Sequence, residues 1–143
     1  MLTEKDTNKV IADVPDWIVV VRPSKETMTK QKLPNFVGVS GATSGAKSIS
    51  MNLVVIPPDS AAVAHFHKGY ETAIYMLKGR VETRYGHDLE HSMINEEGDF
   101  IYIPADLPHQ PINLSETEPV HAIVARNDAN EQESVEEYLP KSA

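Results

Sequence analysis

The chain of 143 residues contains no cysteine. Disulfides, thiolate nucleophiles and thiolate metal sites are therefore excluded, and histidine and carboxylate are left as the available metal ligands. Positive charge is also scarce: 13 Lys and Arg stand against 21 Asp and Glu, the formal net charge is −8, and no basic cluster locally reverses that sign. Such a chain repels phosphate backbones and anionic lipid, so neither nucleic acid nor a membrane surface is expected as a partner. Long hydrophobic runs are missing as well. The longest near the N-terminus, "WIVVV" (residues 17–21), is far too short to span a bilayer, and the opening "MLTEKDTNKV" lacks the basic start and apolar run of a secretory signal. A soluble cytoplasmic protein is the expectation.

What is present suffices for one core. With 41% hydrophobic residues, a chain of this length buries roughly 68–70% of its unfolded surface, so a single domain over residues 1–143 is expected. Short segments rich in β-branched and aromatic residues, separated by Gly, Pro, Asn and Asp, mark an all-β fold. Candidate strands are residues 17–22, 35–40, 48–56, 62–67, 72–77, 80–85, 90–94, 99–103, 109–113 and 120–126, and no long helix competes. Alternation in the third separates an oily face (Ile49, Met51, Leu53, Val55) from a partly polar one (Ser48, Ser50, Asn52). So many short, evenly spaced strands point to a sandwich or barrel, of which the jelly roll is one form. Residues 1–46 read as an arm, residues 47–127 as the barrel, and the acidic residues 128–143 as a tail or short final element.

The six histidines are the informative residues. In "AHFHKGYE" (residues 64–71), His65 and His67 lie two apart, so in an extended strand both point to one side while Phe66 points to the other. If the chain stays near-extended through residues 68–70, Glu71 faces the same side and adds a carboxylate to a mixed nitrogen and oxygen site. The best further ligand is His109 in "GDFIYIPADLPHQPIN" (residues 98–113), where two prolines brace a tight turn ahead of a strand.

These residues resemble the cupins. The first cupin motif runs glycine, five residues, His-x-His, three or four residues, Glu, six residues, Gly; the second runs Gly, five residues, Pro-x-Gly, two residues, His, three residues, Asn. The chain offers "DSAAVAHFHKGYETAIYMLKG" (residues 59–79) for the first, and Gly98, Pro104, Asp106, His109 and Asn113 at the spacing of the second. The resemblance covers roughly residues 48–126. It implies a small β-barrel, a double-stranded β-helix, with one divalent transition metal per chain (Zn, Fe, Mn or Ni) held by His65, His67, Glu71 and His109. Asp59 and Asp106 stand where the family usually has glycine, and Asp tolerates a left-handed backbone. The spacing leaves one ambiguity: counted forward from His67 the ligand position is Glu71, whereas counted back from Gly79 it is Thr72. The carboxylate is preferred because it compensates the metal's charge; the remaining arrangement is three histidines with water and Glu71 behind them.

Tyr75 shares a face with Glu71 by alternation, which makes Glu71 and Tyr75 the candidate proton carriers. His87 and His91 read as solvated, His121 as a core or rim residue, Asn113 as a turn stabiliser, and Ser50, Asn52 and Arg126 as further candidates for the pocket wall. The resemblance, extended by "ETAIYMLKGRVETRYG" (residues 71–86), is to a single-domain subgroup that contains zinc-dependent polyketide cyclases. It implies a small metalloenzyme acting on a small organic molecule as a lyase, isomerase or cyclase. The alternatives are an iron or manganese dioxygenase and a non-catalytic ligand-binding barrel. Edge strands and the N-terminal arm suggest a homodimer in which sheets or arms pair.

Overall fold

The computed structural model describes residues 2–5, 15–23, 27–28, 32–130 and 135–140; the rest of the expected arm and tail lies outside the described residues. The strands are β1 (Leu2–Lys5), β2 (Ile18–Val21), β3 (Thr27–Met28), β4 (Pro34–Val39), β5 (Ser50–Ile56), β6 (His65–His67), β7 (Thr72–Lys78), β8 (Arg80–Tyr85), β9 (His91–Glu96), β10 (Phe100–Ile103), β11 (His109–Asn113), β12 (Val120–Arg126) and β13 (Val135–Glu137). A single helical turn, α1 (Gly41–Ser44), sits in the Gly- and Ser-rich stretch before β5, capped by Ser40 and Thr43 reciprocally and closed by Gly45 in a left-handed conformation.

The all-β expectation holds. One antiparallel sheet has the order β10-β7-β12-β5-β4-β3 and the other β13-β6-β11-β8-β9, while β1 and β2 form a separate parallel pair. The two large sheets enclose a cavity lined from both sides, with Val54, Ile74, Met76 and Val124 from the first and His65, Val81, Thr83 and His109 from the second. The apolar cluster Leu33, Val54, Ile56, Ala62, Met76, Val81, Val120, Ala122 and Val124 forms the core, and each large side chain fully buried there contributes about 1.5–3 kcal/mol. The tail yields one strand, β13, which pairs with β6 and covers that strand's outer edge.

Turn chemistry fixes how the strands meet. Gly79, between β7 and β8, has φ +96°, and a Cβ there would lie 2.7 Å from Val120 Cγ2, so both backbone conformation and space require glycine. Asp59 and Asp106 adopt the left-handed conformation read from the sequence, with φ of 54° and 65°. Asn113 acts as the turn stabiliser, its amide donating to the carbonyls of Ile56, Pro57 and Glu118 while its oxygen accepts from Ser115 N–H.

Strand β5 carries a reversal. Its polar residues Ser50 and Asn52 are each 2% exposed and face inward with Val54 and Ile56, whereas Ile49 and Met51 of the oily face are 59% and 47% exposed. The polar residues therefore sit in the interior at this end, and the oily face lies on the outside of the six-stranded sheet.

Candidate metal centre

His65 and His67 occupy the two ends of β6 and point the same way, both buried, while Phe66 turns outward to meet the Tyr138 ring edge-on. His109 opens β11 and is the cross-strand partner of His65. It is delivered by the turn that Asp106 shapes. Asp106 N–H donates to the His67 carbonyl at 3.0 Å and Asp106 Oδ1 accepts from Gly69 N–H at 3.0 Å, so the loop bearing one motif is tied to the loop bearing the other. The three imidazoles gather with ring centroids 4.3–5.2 Å apart, and their ligating atoms lie within 4.8 Å of one another.

Hydrogen bonds on the far side of each ring set its chemistry. Nδ1 of His65 lies 2.7 Å from the Val63 carbonyl, Nδ1 of His109 lies 2.9 Å from the Leu107 carbonyl, and Nδ1 of His67 lies 2.8 Å from the Tyr70 hydroxyl. A carbonyl only accepts, so in His65 and His109 the proton sits on Nδ1 and Nε2 presents the lone pair that a metal takes. Burial pushes His65 well below the ordinary imidazole value, assisted by His109 and by the Arg126 charge. Burial, then Arg126, then the neighbouring imidazoles push His67 far below it. Burial brings His109 down to about 4, the Leu107 carbonyl opposing and Arg126 assisting. All three are neutral at pH 7, which is the ligating form. Burial pushes the Tyr70 phenol up to about 12, so it stays protonated and its oxygen can accept from Nδ1 of His67.

The structure does not bring Glu71 or Tyr75 to this cluster. Lys68 and Gly69 form a turn, with Gly69 at φ +80°, so the chain is not extended between His67 and Glu71. Tyr70 is tucked inward, and the face of β7 is displaced by one residue from the sequence expectation. Because side chains alternate, that one step reverses every assignment on the strand. Glu71 is exposed, accepting from the Tyr102 hydroxyl at 2.5 Å and, through the other oxygen, from the Asn127 amide at 3.5 Å. Tyr75 lies on the outer face of the six-stranded sheet against Phe100, ring centroids 4.7 Å apart. Thr72 takes the inward position instead, 2% exposed and lining the cavity with the histidines. This is the register obtained by counting back from Gly79.

Of the other candidates, His87 and His91 are exposed and His121 is half-buried. Arg126 lines the cavity, and Ser50 and Asn52 face inward beside it. Tyr70 was not legible as a site residue, because its position follows from the turn and not from strand alternation.

A family model described as a cupin domain matches residues 52–126, just over half of the chain and the whole span between Asn52 and Arg126. The chain belongs to the cupin family. No curated protein matches this cupin. Among solved structures, it is similar to an uncharacterized conserved protein with a double-stranded β-helix domain from Klebsiella pneumoniae, with TM-score 0.59 and 16% identity over 78% of this chain and 85% of that one. The oxalate decarboxylase of Lactobacillus farciminis, solved as a formate complex, has TM-score 0.66 and 18% identity over 79% of this chain but only 33% of its own. The cupin domain of Schizosaccharomyces pombe Cnp3 has TM-score 0.58 and 13% identity over 71% and 69% of the two chains. At these identities the likeness shows the fold, and the cupin spans about a third of the decarboxylase.

Proposed function

We propose that this cupin binds one divalent transition metal through Nε2 of His65, His67 and His109 and acts on a small organic molecule by Lewis-acid chemistry, of the lyase, isomerase or cyclase type. The observation that carries the reading is the hydrogen bonding of the three imidazoles: each Nδ1 meets an oxygen outside the cluster, and burial keeps each ring neutral. A bound ion supplies an electrophile with open positions, able to polarise a carbonyl or carboxylate oxygen and to acidify a coordinated water. Zinc or nickel suits the non-redox reactions, and iron or manganese in the same nitrogen set suits a dioxygenase.

The protein's own part is positioning and exclusion of water. The mostly apolar walls desolvate the substrate, Arg126 and Thr72 offer donors to it, and Tyr70 fixes the His67 ring. The displacement of Glu71 and Tyr75 removes both groups considered as proton carriers. Among the described residues the cavity wall includes no carboxylate, lysine or tyrosine, and that observation favours a second reading, a barrel that binds a small ligand without transforming it. The two separate on purified protein: turnover of candidate substrates that depends on metal and is lost in His109→Ala supports the enzyme. A ligand that raises the melting temperature without turnover supports the binding module.

A homodimer fits the same architecture. Phe100 and Tyr102 on the edge strand β10 are 85% and 61% exposed. With Ala73, Tyr75, Ile123 and Ala125 they line a shallow apolar trough on the outer sheet, a surface of the kind that protein contacts cover.

A further inference from the structure

At one end of the six-stranded sheet, three neighbouring strands present polar residues inward in a row. Arg126 on β12 is the cross-strand partner of Thr72 on β7 and of Ser50 on β5, and Asn52 follows two residues after Ser50 on the same inward face. All four are buried, with Thr72, Ser50 and Asn52 each 2% exposed and Arg126 7%. Oγ1 of Thr72, Oγ of Ser50 and both amide atoms of Asn52 make no hydrogen bond among the described residues. Orphan polar atoms at this depth are rare in native folds, and four of them beside one buried guanidinium point to a group from outside. Arg126 and Thr72 open onto the same cavity as the histidines, and among the described residues that wall carries no carboxylate.

Apart from this row, Thr83 and the three histidines, the cavity wall is hydrocarbon, from Ile74, Met76, Val54 and Val124 among others, and the cavity volume is about 80 Å³. At roughly 10–15 Å³ for each water-sized position, that space holds about five to eight non-hydrogen atoms. Away from the histidines, a second charged end on the occupant would meet hydrocarbon.

We propose that Arg126 and Thr72, with Ser50 and Asn52 behind them, form a carboxylate-recognition subsite, and that the molecule this barrel takes is a carboxylate of about five to eight non-hydrogen atoms with an apolar body. The guanidinium and the Thr72 hydroxyl donate to the carboxylate, and the hydrocarbon walls take the chain. This deepens the reading above, on which it rests for the barrel cavity as the place of chemistry.

The test is calorimetric titration of the full chain, stripped of metal, with acetate, propionate, butyrate, valerate and octanoate, and with butyramide as the neutral analogue of butyrate. Affinity should rise about fourfold per methylene to valerate and fall at octanoate, and butyramide should bind at least tenfold more weakly than butyrate. Arg126→Gln should weaken butyrate at least tenfold. Thr72→Val, close to isosteric and so a safeguard should the arginine variant fail to fold, should weaken it about threefold to tenfold. Equal binding of butyramide, undiminished binding in Thr72→Val and Arg126→Gln, or no binding of any carboxylate would overturn the subsite. Repeating the titrations with zinc separates the two claims. Zinc capture without carboxylate binding in either state removes the subsite and leaves the metal site standing, whereas charge-selective carboxylate binding without zinc capture does the reverse.

Discussion

Acidification of the metal-free protein gives the sharpest consequence of the histidine cluster. His65, His67 and His109 are held neutral in the folded chain, with His109 down at about 4 and the other two pushed below the ordinary value by burial. In the unfolded chain each titrates near 6.5. Between the folded and unfolded values the unfolded state binds protons that the native state does not, so stability is full above about pH 6.5 and falls as the pH drops through that value. Each group contributes about 1.4 kcal/mol per pH unit within the window, so the three together give a slope of about 4 kcal/mol per unit and a loss of about 6 kcal/mol by pH 5. That is comparable with the whole stability of many domains, about 5–15 kcal/mol. Glu82 and Glu90, held below the usual carboxylate range by the Ser92 hydroxyl and the Asp88 N–H, lose their contribution only at lower pH. The interval from pH 6.5 to 5 therefore reports the imidazoles. Urea unfolding of chelator-treated protein at four pH values, followed by circular dichroism, measures the slope, and His109→Gln should reduce it by about a third. A slope below about 1 kcal/mol per unit would show that the native cluster takes up protons freely, and the argument for three preset neutral ligands would fail.

Other consequences follow from single contacts. Gly79→Ala combines a positive φ with a Cβ 2.7 Å from Val120 Cγ2 and should cost about 2–5 kcal/mol, read as a lowered urea midpoint with the metal site intact; a loss under about 0.5 kcal/mol would contradict the close packing of β7–β8 on β12. Tyr70→Phe removes the oxygen facing Nδ1 of His67 and should weaken metal affinity about tenfold to a hundredfold, measured by competition with a chelator. Phe100→Lys places a charge on the outer apolar trough and should lower the mass in analytical ultracentrifugation from dimer to monomer, while a wild-type monomer would remove the proposed pairing.

The barrel was legible because its strands are punctuated by residues with few alternatives. Gly79, Gly98, Asp59 and Asp106 mark turns that need positive φ, and the buried His109 stands at a fixed distance from them. The short elements β1, β3 and β13 and the turn α1 carry too few residues to show a period. Alternation separates the two faces of a strand without saying which is inside. On β5 the polar face lies inward, with Ser50 opposite the cavity-lining Arg126, and the oily face lies outward on the sheet proposed to meet a partner. For Glu71 the error has one local cause: the Lys68–Gly69 turn consumes residues that extended geometry would have spent on reach, so Thr72, Ile74 and Met76 face the cavity and Glu71 and Tyr75 do not.

Metal content per chain, by elemental analysis of purified untagged protein beside His67→Ala and Glu71→Ala, tests the central claim most directly. The three-histidine site predicts close to one divalent transition metal per chain, lost in His67→Ala and retained in Glu71→Ala. Absence of metal after reconstitution, or loss in Glu71→Ala equal to that in His67→Ala, would contradict it.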